Sequence, residues 1–372
     1  MFKKLLVIAL LALSVSACAV YTKPAVISDY LYDITFQDYN FDKMSRTADR
    51  LFFNRGKVPA GACSAVAKDS LFGRNFDWFY DEMPEFVIRT QASEGRYASI
   101  GIASPICVLK DRPAGHLRGK IILGLLPIFT VDGINENGVA CCVNVVPQGD
   151  CGYTTGTNPE GENLCAPIIV RYILDNAVSA EHAVSLLQDR NIYATFAHGL
   201  NEEYHFMIAD GKDVYVVEFV DNELVAMKDR KLMTNFHIAS GATPHGMGLE
   251  RYDILERGYD NVSGVDGLAA LLQSVWYSNM YNADNDPVWY SEICGPNDSY
   301  GLSTDDITDN PEKFDAPMAA EQEKYLHRNR RKGGTWHSVH TSIYNFADTT
   351  LTLFNQESDE KRVFRLRKEE ER

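Results

Sequence analysis

Cys63 follows a run of small and turn-forming residues, Val58-Pro59-Ala60-Gly61-Ala62, and opens an apolar stretch. Arg74 and Asp77 come eleven and fourteen residues later. A thiol attacks an amide only as the thiolate, and a free cysteine thiol titrates at about 8.5. If Cys63 becomes a chain terminus, its own α-amine, with a pKa of about 7.7–8.0, is a base within reach. A guanidinium such as Arg74 favours the negative form of the thiol. A carboxylate such as Asp77 can hold and orient the amine, much as the third member of a triad orients its base. The plainer alternative is a buried structural thiol beside an Arg74–Asp77 ion pair.

The cysteine arithmetic bears on that choice. Of eight cysteines, Cys18 lies in the leader, which leaves Cys63, Cys107, Cys141, Cys142, Cys151, Cys165 and Cys294. Seven is odd, so at least one is expected free or reactive even where disulfides form. Cys141 and Cys142 are adjacent in an apolar run and read as buried structural thiols. With no C-x-x-C pair and no H-E-x-x-H, zinc has little support, and no cofactor is expected. His337 and His340 are three apart on an expected strand and should face opposite sides, which makes them poor co-ligands. Asp284 and Asp286 suggest calcium, but their spacing fits no full EF-hand loop.

The elements that must position these groups read mostly as short strands. Residues 63–67 and 70–78 form two of them, with Lys68-Asp69 as a hairpin turn. Further strands are expected at 119–129 and 138–147, the second preceded by the turn Asn135-Glu136-Asn137-Gly138. Two helices follow at 164–177 and 180–190, with Ser179 placed to cap the second. A hairpin at 204–210 and 214–219 turns across Gly211, and strands at 223–229 and 231–236 come next. Helices are expected at 249–256 and 265–277, loop at 284–315, and closing strands at 335–346, 349–356 and 362–367. Strand runs flanking two helical blocks argue for an α+β domain with packed antiparallel sheets.

Composition is that of an ordinary globular protein, 45% hydrophobic and 23% charged, which excludes wholesale disorder, collagen and coiled coil. A net charge of -15 argues against a nucleic-acid partner. The first residues carry Lys3 and Lys4, then an apolar run over 5–13, a secretory signal too short to span a bilayer. Val15-Ser16-Ala17-Cys18 resembles the bacterial lipobox, which implies that residues 1–17 are a lipoprotein-type signal peptide and that Cys18 is lipidated. A plain cleavage site near Ala17 or Ala19 is the alternative. The expectation is an envelope lipoprotein facing the periplasm or exterior, attached to the membrane through Cys18. Residues 18–62 read as a tether or pro-segment, and 63–372 as a single catalytic domain.

From Cys63 onward the text acquires a family likeness. Cys63-Ser64-Ala65-Val66-Ala67-Lys68-Asp69, followed by Phe72-Gly73-Arg74-Asn75-Phe76-Asp77-Trp78, resembles the start of the choloylglycine hydrolase and penicillin V acylase family. Asp132 to Gly138 with the strand ending at Asn144-Val145, the hairpin of 205–210 and 214–218, Met233-Thr234-Asn235, Glu250-Arg251-Tyr252 and the closing strands resemble later family segments in the same order.

The resemblance implies a four-layer αββα sandwich of the N-terminal-nucleophile (Ntn) hydrolases, two packed antiparallel sheets flanked by helices. It also implies hydrolysis of a linear amide C–N bond by Cys63, with Arg74 and Asp77 beside it. Asn144 and Asn235 would supply amide donors to the tetrahedral oxyanion, each typically worth about 2.7–4 kcal/mol, and Arg251 would add positive potential. Arg257 competes with Arg251 for that role, and Trp78 reads as core or as substrate wall.

Ser64 stands where many relatives have threonine, the turn between Cys63 and Arg74 is shorter than in many bile salt hydrolases, and Val145 matches neither substrate type. The reaction therefore carries over while the substrate stays open: a penicillin, a bile salt conjugate, an acyl-homoserine lactone or a fatty acyl amide. An acyltransferase on the same scaffold and a non-catalytic envelope lipoprotein are the competing readings, the second disfavoured by the intact Cys63, Arg74, Asp77 and Asn235. Oligomeric state is open, a homo-oligomer included. Because the mechanism needs a free α-amine on Cys63, cleavage between Ala62 and Cys63 is expected, with the thiol attacking its own preceding peptide bond.

Overall fold

The strands around Cys63 are buried on both faces, as a computed structural model of the chain shows, describing residues 19–51, 62–78, 84–105, 122–147, 160–193, 202–220, 223–239, 246–276, 337–355 and 358–366. Cys18, Cys107, Cys151, Cys294, the Asp284–Asp286 loop and the side chains of Trp78 and His337 lie outside the described residues. The described chain opens with strands β1 (Ala19–Tyr21), β2 (Ala25–Val26) and β3 (Leu31–Tyr39), then helix α1 (Phe41–Leu51). Strands β4 (Ala62–Lys68) and β5 (Leu71–Trp78) form the expected hairpin, turned at Asp69 with φ of 53°, a conformation aspartate tolerates.

Next come β6 (Glu85–Thr90), β7 (Ser99–Ala103), a 3-10 turn (Leu126–Phe129), β8 (Thr130–Asn135) and β9 (Ala140–Pro147). Strand β10 (Glu162–Cys165) leads to α2 (Ile169–Asn176), α3 (Ala180–Gln188) and β11 (Arg190–Tyr193). Ser179 caps α3 as expected, its hydroxyl accepting from the His182 N–H at 3.0 Å. Strands β12 (Glu202–Ala209), β13 (Val214–Val220) and β14 (Glu223–Lys228) form a meander, followed by three two-residue strands, β15 (Leu232–Met233), β16 (Asn235–Phe236) and β17 (Gly246–Met247). Helices α4 (Leu249–Tyr259) and α5 (Gly264–Ser274) precede β18 (His337–Asn345), β19 (Thr350–Asn355) and β20 (Ser358–Arg365).

Among the described residues these strands build two large sheets. One runs β1-β3-β6-β7-β8-β9-β12-β13-β14, with β2 on β3; the other runs β15-β4-β5-β18-β19-β20. The sheets meet face to face, β4 against β9 and β18 against β8. Between them lie Ala65, Ala67, Phe72 and Phe76 from the smaller sheet and Val87, Ile100, Ile102, Cys142 and Met207 from the larger. On the outer face of the larger sheet α2 covers β8 and β9, and α3 covers β12 and β13. On the outer face of the smaller sheet α5 covers β5 and β18, and α4 covers β4 and β15. Gly73 is what lets α5 lie so close, since a Cβ there would meet Leu272 Cδ1 at 2.6 Å. The α+β class and the αββα layer order are thus those expected.

Several local expectations are corrected. Residues 122–129, expected as strand, form helical turns ending in the 3-10 turn, where Pro127 sits at the start. An apolar run buried on every side carries no period that separates strand from helix. The helix expected from 164 begins at Ile169; residues 162–165 pair in parallel with β11, and extended backbone at Cys165 leads into Ala166 and Pro167. The strand expected over 231–236 breaks at Thr234, its two halves joining different sheets. The larger sheet is not purely antiparallel, because β3 lies parallel to β6. Within the stretch 18–62, read as a tether or pro-segment, residues 19–51 are folded, with Leu31, Ile34, Phe36, Tyr39 and Met44 buried in the cores; that reading remains an expectation.

Candidate active site

Strand alternation sorts the expected residues onto two faces of the β4–β5 hairpin. Cys63, Ala65 and Ala67 point between the sheets, as do Phe72 and Phe76 on β5. Arg74 shares their face and meets the thiol, with Nη2 3.0 Å from Cys63 Sγ. The same guanidinium donates to the Val143 carbonyl at 2.8 Å and to Asp132 Oδ2 at 2.8 Å, and lies over the Phe76 ring. Cys63 is 2% exposed. Burial pushes its thiol pKa up, Arg74 and Arg251 pull it down, and burial prevails. Arg74 thus acts toward the thiolate, while the net shift of the thiol is upward.

Asp77, three residues beyond Arg74, is on the opposite face of β5 by the same alternation. It does not pair with Arg74; its Oδ2 lies 3.3 Å from Arg251 Nη1. Arg251, in the first turn of α4, reaches in fully buried and also donates to the Cys63 carbonyl at 2.9 Å and to Asn235 Oδ1 at 2.8 Å. Asn235 Oδ1 in turn accepts the Cys63 backbone N–H at 2.7 Å. Thiol and main chain of one residue are thus gripped from two sides. Arg257, the competitor for Arg251, is exposed and pairs with Asp253 of its own helix.

The two asparagines expected at an oxyanion differ in placement. Asn235 touches Cys63, while its Nδ2 donates to the Val145 carbonyl at 2.5 Å. Asn144 does not; its Nδ2 donates to the Thr234 carbonyl at 2.9 Å, which the His205 Nε2 also approaches at 2.8 Å. That carbonyl sits where the chain leaves one sheet for another, so it has no ladder partner and takes side-chain donors instead. Asn144 thereby holds the Thr234–Asn235 corner. Among the described residues, no group of three or more His, Cys, Asp or Glu is arranged to hold a metal ion.

Comparison with known proteins agrees with where this site begins. Residues 63–242 match the family model of linear amide C-N hydrolases, the choloylglycine hydrolase family, and the match starts at Cys63 itself. Among solved structures, a penicillin V acylase from Agrobacterium tumefaciens is similar, with a TM-score of 0.44 and 12% identity over 81% of this chain and 84% of that one. A mutant conjugated bile acid hydrolase from Clostridium perfringens is similar with a TM-score of 0.43 and 15% identity, over 82% and 92%. No curated protein matches significantly.

Around this site lie buried groups that sequence reasoning missed. Behind Arg74, Asp132 also accepts a short hydrogen bond from the Tyr344 hydroxyl and lies 3.5 Å from His340 Nε2. The other ring nitrogen of His340 is 2.7 Å from Glu85 Oε1, and the ring stacks on Phe76. Burial alone would neutralise His340, but Glu85 and Asp132 outweigh it and raise the pKa to about 9. For Asp132, burial is likewise outweighed by His340, Arg74 and Tyr344, so its pKa is lowered.

A second cluster pins the Asn235 corner. Glu218 lies 3.1 Å from His205 Nδ1 and accepts the Ile238 and Ala239 N–H groups at 2.9 and 2.8 Å; it is held well below the usual carboxylate range despite burial. Gly248, at φ of 92°, is a third omission: a Cβ there would meet Arg251 Nη2 at 2.7 Å. In the sequence, only the glycine just ahead of Glu250-Arg251-Tyr252 hinted at it.

Proposed function

We propose that this chain hydrolyses a linear amide C–N bond in an N-acyl compound, using Cys63 as an N-terminal nucleophile. What carries the reading is the double grip on Cys63: its thiol on Arg74 Nη2, and its backbone nitrogen on Asn235 Oδ1 beside Arg251 and Asp77.

In the encoded chain that nitrogen is a peptide amide and is no base. The proposal therefore begins with cleavage: Cys63 Sγ attacks the Ala62 carbonyl carbon, the Ala62–Cys63 C–N bond breaks to give a thioester, and water hydrolyses it. The products are an Ala62 carboxylate and a free Cys63 α-amine. The amine then takes the thiol proton, and the thiolate adds to the substrate carbonyl. Asn235 is the proposed amide donor to the oxyanion, with Arg251 adding positive potential nearby. The C–N bond breaks as the proton passes to the leaving amine, and water attacks the thioester to release the acid and restore the thiol. Arg74 favours the thiolate, Asp77 orients the amine, and Asn144 holds the corner that carries Asn235.

The substrate is an acyl amide of the penicillin, conjugated bile acid, acyl-homoserine lactone or fatty acyl type. The protein is proposed to reach the envelope as a lipoprotein carried by Cys18. The test is amine release from penicillin V, glycine- and taurine-conjugated bile acids, acyl-homoserine lactones and fatty acyl amides. At least one should be turned over by the wild type, by Cys63→Ser only slightly and by Cys63→Ala not at all. Full activity in Cys63→Ala would sink the mechanism.

A further inference from the structure

We infer that residues 19–62 remain bound to the catalytic body after the cut before Cys63, so that the mature enzyme is a two-chain complex. The inference rests on the proposed cleavage and goes beyond it, since that step by itself leaves open whether the upstream piece is discarded.

The structure shows how deeply the piece is built in. β3 is an interior strand of the larger sheet, with β1 on one side and β6 on the other. Its parallel register with β6 runs over six residue pairs, from Leu31 against Glu85 to Phe36 against Thr90. Both ends of the pairing are closed by further main-chain bonds, Glu85 N to Tyr30 O at 2.7 Å and Gln91 N to Phe36 O at 2.9 Å.

The side chains of β3 enter both cores, because alternate residues face opposite sides of the sheet. Leu31 belongs to the core between the sheets, whereas Ile34, Phe36 and Tyr39 belong to the one under α2, joined there by Met44 of α1. All five are 5% exposed or less. Removing the segment would uncover Phe86, Val87 and Ile88 of β6 and leave that strand as a bare sheet edge, an arrangement folded proteins avoid.

Polar contacts seal the junction. Asp33 pairs with Arg89 in a buried ion pair. The Tyr39 hydroxyl donates to Asp175 Oδ1 at 2.6 Å, and Arg96 lies over the Tyr39 ring at 3.8 Å while donating to its carbonyl at 2.8 Å. Losing the segment would take the Asp33 carboxylate from Arg89, leaving it the Arg365 carbonyl, and the Tyr39 hydroxyl from Asp175, leaving it Arg171, which is costly for buried polar groups. Hydrolysis of the Ala62–Cys63 bond touches none of these contacts. The upstream chain is thus a light subunit, and a lipid on Cys18 would still moor the catalytic body after the cut.

Two preparations test this. The first is the wild-type chain after it has matured. The second is full-length Cys63→Ala with a specific protease site inserted between Asn54 and Gly61, cut in vitro, so that the association is read whether or not self-cleavage occurs. Each is run on a sizing column under native conditions and on a denaturing gel. The expected result is two fragments on the gel that elute together in the native run, including in about 1 M salt, where exposed charge pairs are screened. Phe36→Ala combined with Asp33→Ala in the cut protein should increase the fraction of light chain eluting alone. A light chain that separates freely from a body still folded by circular dichroism would overturn the inference. An uncut wild type beside co-eluting engineered fragments would overturn the processing step while upholding the association.

Discussion

Burial, with the Asp77 carboxylate, opposes the thiolate at Cys63 while Arg74 and Arg251 favour it, and in the uncut chain burial prevails. On the proposed mechanism activation comes from a base next to the thiol, which is the place the freed α-amine would occupy. In that mechanism Arg74 and Asp77 act on nucleophile and amine respectively and not on the acyl group, so Arg74→Ala and Asp77→Ala should each lower kcat at least about tenfold with a smaller change in KM. Steady-state kinetics on whichever acyl amide is turned over checks this, and a change confined to KM would make them substrate-binding residues.

His340 makes a separate prediction. Its folded pKa, about 9, lies above the ordinary value of 6.5. Its contribution to stability is then complete below about pH 6.5 and is lost as pH rises through about 9. The shift corresponds to something on the order of 3 kcal/mol. Tm should fall across that window in the wild type, while His340→Gln should be less stable at pH 6 and show a flatter profile. The groups facing the ring are Glu85, Asp132 and Phe76, with Arg74 and Tyr344 beyond Asp132, so a wild-type slope retained in His340→Gln would assign the pH dependence elsewhere.

At the scale of elements, the site depends on one hairpin and one helix start. The β4–β5 hairpin was legible because two short strand-like runs flank a simple turn at Lys68-Asp69. The ion pair left open between Arg74 and Asp77 is ruled against by the strand period: three apart, they face opposite sides, one to the thiol and one to Arg251. Asp132, His340 and Glu85 were not legible as a group, because they come from strands far apart in the chain that only the packing of the two sheets brings together. The apolar run at 122–129 misled for a different reason, since full burial erases the period that distinguishes strand from helix.

Gly248 illustrates how a helix start can control the site. Its φ of 92° disfavours any side chain, and a Cβ would press on Arg251 Nη2 and on the Thr234 side chain at 3.0 Å. Gly248→Ala should cost about 1–3 kcal/mol in a urea melt and should also lower kcat, because the guanidinium that touches Asp77, Asn235 and the Cys63 carbonyl must shift. Unchanged kcat with reduced stability would show that the Arg251 position tolerates the strain.

For the whole molecule, the outline α+β sandwich could be read from strand runs around two helical blocks, and the family likeness from Cys63 onward agreed with it. What could not be read was the integration of residues 19–51. Their strand β3 alternates well enough, but its partner β6 lies on the far side of Cys63, and a parallel pairing leaves no hairpin signature. The central claim, that Cys63 works as an amino-terminal nucleophile, is tested most directly by the intact mass and amino-terminal sequence of the active protein. The account predicts a catalytic chain beginning at Cys63 in the wild type and an uncut, inactive Cys63→Ala. An enzyme fully active with Ala62 still joined to Cys63 would contradict it.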